Sequence, residues 1–385
     1  MTKTILIVST YQNFDSLAHL PTGISGKGLY ILSMDELGKL SILEKKTEEC
    51  DKENIENIAY MIQIPNSNHL YMCTESILKD NTIAHYKYDD NLKLLDTHSV
   101  NGKSSCYLTV LNKNNIACVN YWTSDLQLVS LNENMSIKTT KLILRHHTSD
   151  YVYKYKPNRN DHWKFRQLWS HYHCIVLEPY LKEYLFLVDL GMDCINYFTK
   201  DLKYIGCLQL PKKSGPRYIT FHPIKHIAFI VNELTSTITI VKVNLYNKNK
   251  KILSFIKNIS SLPNDYNNKL VNRHCEWRAN NHAANIQIHP NGKYLYVSNR
   301  GHDSIAIWNI DTINLNLYNY RFVFCQGKCP RHFIIINQFK DIYRLIVANQ
   351  NSNNLCVFNL KENGDLTFNN KITINSPNFL LHYLN

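Results

Sequence analysis

One strand phrase returns along the chain, and its copies end in polar or charged residues where apolar ones would be expected. The clearest copy is HPNGKYLYVSNRGHDSIAIWNI, residues 289–310. It predicts a turn at Asn291-Gly292, an alternating strand over 294–298, a second turn at Gly301-His302-Asp303 and another strand over 304–310. The first of these strands closes on Asn299-Arg300. Looser copies close at Glu75 (LYMCTE), Asn120 (IACVN), Asp189 (LFLVD), Glu233 (AFIVNE) and Gln350 (LIVANQ), and TILIVST at 4–10 completes seven such strands. Repeats of this size, built from short strands, predict an all-β fold: a seven-bladed β-propeller of four-stranded antiparallel blades, one phrase per blade.

The phrase also sets the organisation. Blade 1 falls at about residues 1–50, blade 2 at 55–98 and blade 3 at 100–145, while blades 4 to 7 begin near Ser170, Gly215, Asn281 and Gly327. Residues 371–384 are expected to supply a strand that closes the ring against the N-terminal one, so that 1–385 form a single propeller domain without an open edge at the join. Two longer connections, 146–169 and 259–280, are expected to roof the functional site.

A chain of 385 residues is long for one ordinary domain. A propeller escapes that limit because each blade buries its faces against two neighbours. Hydrophobic content of 44% and 25 tyrosines suit half-buried strands. The balance of 43 Lys+Arg against 31 Asp+Glu gives a formal charge of +12. These charges are scattered, and no RNP-like, helix-turn-helix or zinc-finger pattern accompanies them. A nucleic-acid partner is therefore not expected, and the excess reads as solvated surface plus a site for an anion. The eleven cysteines have no regular spacing, and Cys325 and Cys329 lack a second pair at ligand distance. They read as buried reduced thiols of a cytoplasmic protein, with no metal site. The first ten residues read as a strand, with no signal peptide, and no apolar stretch approaches the roughly 20 residues that span a bilayer. Oligomeric state does not follow from these features.

In an antiparallel pair the start of one strand lies beside the end of the next. Within GPRYITFHPIKHIAFIVNEL, residues 215–234, this places Arg217 beside Glu233. The same layout pairs His171-Tyr172-His173 with Asp189, Asn285 with Arg300, and Arg331 with Gln350. Around a closed ring these ends gather at one mouth of the central channel. The expected cluster is His173, Arg217, Glu233 and Arg300, with Arg331, His171, Asn285 and Gln350 as further substrate-binding residues and Asp189 close by. Asp189 in DLGMD, Asn349 and Gln350 also suit a role in holding turns and blades together. Arginines sharing one mouth repel unless an anion sits among them, and the guanidinium fork matches carboxylate or phosphate oxygens.

The stretches RQLWSHYH (166–173), VDLGMD (188–193), GPRYITFHP (215–223) and VNEL (231–234) resemble the propeller-type lactonase family. So do HAANIQIHPNGKYLYVSNRGHDSIAIWNI (282–310), GKCPRHF (327–333) and VANQNSNNLCVF (347–358). That family includes seven-bladed 6-phosphogluconolactonases and fungal carboxy-cis,cis-muconate cyclases. The resemblance is strong from residue 166 onward and weaker, but in phase, over the first three blades. It implies His173 as the catalytic histidine, Glu233 as its acidic partner and Arg217 and Arg300 as anion-binding residues, acting without a cofactor on a small phosphorylated or carboxylated lactone. The leading expectation is hydrolysis of 6-phosphoglucono-1,5-lactone to 6-phosphogluconate in the pentose phosphate pathway. The alternatives are a cycloisomerase of a carboxylated muconate and a non-catalytic binding platform. Two departures stand out: Asn285 replaces an acidic residue of the family, and Trp122-Thr123, after VNYW (119–122), replaces a glycine-rich turn. Lactone hydrolysis needs an activated water, a stabilised oxyanion and a proton for the leaving alkoxide. Either His173 or Glu233 can be the base, with the other positioning it or returning the proton.

Overall fold

The computed structural model describes residues 4–19, 21–46, 55–145, 166–246, 251–266, 280–339 and 341–384. Most of the two connections expected to roof the site, 146–165 and 267–279, lie outside the described residues. The rest forms seven four-stranded antiparallel sheets. Their inner strands are Pro377–Tyr383, Ile58–Gln63, Ser105–Asn112, Tyr172–Leu177, Pro216–Phe221, His282–Ile288 and Pro330–Phe339 for blades 1 to 7. Each inner strand touches the inner strands of two neighbouring blades, which closes them into a ring around a channel. The fold is the seven-bladed propeller that the repeat predicts.

Blade 5 shows how sequence pattern becomes position. Its second strand, Ile227–Asn232, is buried at every residue, as a strand covered on both faces must be. Its outermost strand, Leu253–Ser260, instead mixes buried and exposed positions because it lies at the solvent rim. The turn after the second strand recurs between blades. Ser124, Asp193, Ser236, Asp303 and Asn353 occupy the same offset, each with φ between 52° and 57°. Because Ser124 takes the left-handed position, Trp122-Thr123 need not be glycine, and Trp122 is buried in the apolar contact of blades 3 and 4. Gly301 is different. A Cβ there would come within 2.0 Å of the Asn280 carbonyl oxygen, so no side chain fits.

The apolar cores lie between blades. Phe333, Val347 and Phe358 of blade 7 meet Tyr296, Ile305 and Ile307 of blade 6. Leu6, Val8, Leu32 and Leu380 of blade 1 meet Ile346 and Val357 of blade 7. Blade 1 is composite, since Pro377–Tyr383 pairs antiparallel with Thr4–Thr10. The closing strand is thus shorter than expected. Residues 371–373 finish the outer strand of blade 7, Leu366–Thr373, because the chain turns only at Asn375-Ser376. Leu380, 1% exposed, sits in that closing contact, whereas Leu43 on the outer strand of blade 1 is 50% exposed. Leu380→Ala is expected to destabilise the protein by about 2–5 kcal/mol, and Leu43→Ala by no more than about 0.5 kcal/mol. Urea denaturation of the two variants beside the intact chain checks this.

Candidate active site

All seven inner strands carry a β-bulge near their start. The register against the second strand slips by one residue at Asn378, Ala59, Cys106, His173, Arg217, the Ala284-Asn285 step and Arg331. An extra residue in one strand breaks the alternation of faces and re-aims a side chain. Here six of the extra residues, Asn378, Ala59, Cys106, His173, Arg217 and Arg331, line one cavity in the channel. A second set of groups comes from the ends of the second strands: Arg300 is the last residue of its strand, and Tyr11, Glu75, Tyr121, Glu233 and Gln350 directly follow theirs.

Glu233 is the electrostatic centre. It is 2% exposed, and its Oε1 meets Arg166 Nη2 at 2.5 Å and Arg300 Nη2 at 3.0 Å, while Oε2 meets Arg217 Nε at 3.1 Å. Burial alone would raise its pKa, but Arg166, Arg300 and Arg217 together hold it well below the usual carboxylate range. The arginines are themselves fixed. Arg217 donates from Nη1 to the Ala284 carbonyl at 2.7 Å and lies over the Tyr218 ring, and Arg300 donates from Nε to the His282 carbonyl at 3.3 Å. A second carboxylate stands on blade 2. Glu75 Oε2 accepts from Tyr11 Oη at 2.6 Å and lies 3.7 Å from Arg331 Nη2. Among the described residues, four arginines thus share two glutamates at this site.

His173 is buried, and its Nδ1 has no hydrogen-bond partner among the described residues. Its ring meets Tyr121 and Tyr218 edge-on at 5.4 Å. Burial first and Arg217 second push its pKa well below the usual histidine range, against a smaller opposite pull from Glu233. The imidazole is therefore neutral at pH 7. His332 lines the same cavity and is also neutral, its pKa pushed down to about 3 by burial, Arg217 and Arg331. Its Nδ1 accepts the Leu380 N–H at 3.2 Å, which leaves the ring proton on Nε2. Aromatic contacts close the cavity below: Tyr60 to Tyr107 at 4.1 Å, Tyr60 to Phe379 at 4.4 Å and Tyr107 to Tyr218 at 5.4 Å. Among the described residues no three His, Cys, Asp or Glu side chains are grouped to hold a metal ion.

The profile of the family described as "Lactonase, 7-bladed beta-propeller" matches residues 5–382. The chain belongs to this lactonase family. It is 29% identical over 355 residues to a 6-phosphogluconolactonase of Formosa agariphila, covering 86% of this chain and 88% of that one. It is 26% identical over 376 residues to the 6-phosphogluconolactonase of Bacillus subtilis, covering 95% and 94%. A periplasmic gluconolactonase of Pseudomonas aeruginosa has the same fold, with a TM-score of 0.77 at 19% identity over 99% of both chains.

Of the residues singled out from the sequence, His173, Arg217 and Arg331 line the cavity, and Glu233 and Arg300 join it through the ion-pair cluster. Three others stand elsewhere. His171 stacks on Tyr121 at 4.6 Å, with its Nδ1 2.9 Å from the Tyr121 carbonyl oxygen. Asn285 lies deeper, because the strand of blade 6 pairs with Arg300 already at His282, and its Nδ2 donates to the Phe333 carbonyl at 2.7 Å. Gln350 lies against His19, with 3.3 Å between their nitrogens. Asp189 holds its turn, accepting from the backbone N–H groups of His171, Gly191 and Met192. Arg166, Glu75, Tyr218 and His332 complete the site without having been singled out. For Glu75 the signal was present, since it ends its strand phrase just as Glu233 does. For Arg166, outside any strand, none was.

Glu233→Gln leaves three guanidiniums without their shared anion. It is expected to cost about 3–5 kcal/mol at pH 7, as for other broken buried pairs. The depressed pKa fixes the pH dependence. Stability from Glu233 is complete above the unfolded value of about 4.3 and is lost as pH falls through the lower folded value. The gap between the intact chain and the variant, followed by denaturation from pH 7 to pH 3, is therefore expected to narrow only in the acid range.

Proposed function

We propose that this chain hydrolyses a sugar lactone carrying an anionic group, without a cofactor, and that its substrate is 6-phosphoglucono-1,5-lactone, opened to 6-phosphogluconate. The observation that carries this reading is a channel cavity lined by Arg217, Arg331 and a buried neutral His173. Membership in a lactonase family, with relatives named 6-phosphogluconolactonase, supports it. In this reading the protein acts in the cytoplasm.

In this reading His173 is the base. Glu233 suits the role poorly, since both its oxygens are engaged by arginines and its proton affinity is low. It is a positioning residue that sets the fan of guanidiniums. Neutral His173 removes a proton from water as the oxygen attacks the lactone carbonyl. Arg217 stabilises the oxyanion in a site where few waters compete. The ring C–O bond then breaks, the imidazolium returns its proton to the leaving alkoxide, and the hydroxy acid departs. Arg331 holds the anionic end of the substrate.

The test is a panel of 6-phosphoglucono-1,5-lactone, glucono-1,5-lactone and a carboxylated muconolactone offered to the purified protein. Fastest turnover of the phosphorylated lactone is expected. Preference for the muconolactone transfers the site to the cycloisomerase reading, and no turnover at all leaves a binding platform. His173→Ala is expected to lower kcat about 10²–10⁴-fold with a smaller change in KM. Because the base must be neutral and its pKa is depressed, the acid limb of kcat/KM is expected to lie below the ordinary histidine value of about 6.5. A limb at or above that value removes His173 from the role.

A further inference from the structure

We infer that Glu75, tethered by Tyr11 and accompanied by His332, forms a hydroxyl-binding subsite that selects a polyhydroxylated lactone with one anionic end over a lactone bearing several carboxylates. The inference rests on the anion-binding reading above and deepens it. Glu75 lines the same cavity as Arg217, Arg331 and His173. Both polar contacts of its carboxylate, from Tyr11 and from Arg331, fall on Oε2. Among the described residues this leaves Oε1 as the acceptor for a guest. His332 offers the complementary group, an Nε2–H fixed by the contact of Nδ1 with the Leu380 N–H.

The chemistry discriminates in two ways. A sugar hydroxyl both donates and accepts, so an acceptor oxygen and an imidazole N–H on one wall satisfy it twice. A hydrogen bond to an ionised group is among the stronger ones available to a neutral ligand. A substrate carboxylate in the same place would instead face Glu75 at close range, and like charges in a dry cavity repel. Arg331 lies over the Tyr11 ring, 5.1 Å from its centroid, so that Glu75 is not its sole support. The neighbouring bulge residues Ala59 and Cys106 are small, and they line the same cavity as Glu75.

The experiment uses two phosphates of equal chain length, sorbitol 6-phosphate and n-hexyl phosphate, titrated calorimetrically into the full chain. Sorbitol 6-phosphate is expected to bind about tenfold tighter or more, the scale of one hydrogen bond to a charged group. Glu75→Ala is expected to remove most of that preference, read as the ratio of the two affinities in the same variant, because the lost charge acts on both phosphates alike while the lost acceptor acts only on the hydroxyls. Tyr11→Phe, which keeps the ring and frees the carboxylate, is expected to lower the preference too, and it serves as the test should Glu75→Ala not fold. Equal binding of the two phosphates by the intact chain, binding of neither, or a preference that survives both substitutions overturns the subsite. Lactone turnover is measured separately. A chain that shows the preference but opens no lactone keeps the subsite and loses the hydrolytic reading, and the reverse result does the opposite.

Discussion

A propeller blade has two apolar faces and can bury both only between two neighbours. Everything else in this structure follows from that constraint. The cores form at the contacts between blades, as where Leu345, Val347 and Phe358 meet Tyr296 and Ile307. No core is left for the axis, so the innermost strands face a channel. The constraint also requires the ring to close. Pro377–Tyr383 completes the first blade from the far end of the chain, which makes the geometry of the channel a property of the whole ring.

The channel gathers polar side chains because its inner strands are irregular. Regular pleating would alternate side chains between the two faces of a blade, and neither face points along the axis. The bulges change this at His173, Arg217 and Arg331, turning their side chains into the cavity. Such strongly polar groups persist in a buried place because they are paired. Glu233 takes three arginines from blade 5, blade 6 and the segment before blade 4. A removed carboxylate there would leave like charges facing one another in low dielectric, so the pairing is structural. The same burial, with the charge of Arg217, keeps His173 neutral.

Asn285 and Gln350 show where local reasoning reaches its limit. Both lie near strand ends in the sequence, as Arg217 and Glu233 do. Yet the strand of blade 6 begins at His282 and bulges before Ile286, so Asn285 falls below the mouth and holds blade 7 through the Phe333 carbonyl. An extra residue in a strand has no signature in hydrophobic alternation. Gln350 has the right place in its blade, but the N-terminal segment brings His19 against it. Arg166 was illegible for another reason: it belongs to no strand, and only the fold delivers it to Glu233.

The sequence by itself determined the blade count, the boundaries of the repeats and the end of the ring at which polar residues collect. Those features depend on a period-two pattern and on turn residues, which act over a few neighbouring positions. It also determined the Arg217–Glu233 pair, because both residues belong to one hairpin, where antiparallel pairing fixes adjacency. Only the tertiary structure decided which side chains enter the cavity, that Glu233 is shared among three arginines, and that Glu75 stands with Arg331 across blades 2 and 7. These are contacts between residues far apart in the chain. Their distances are set by closure of the whole ring and by bulges that the alternation of apolar residues does not encode.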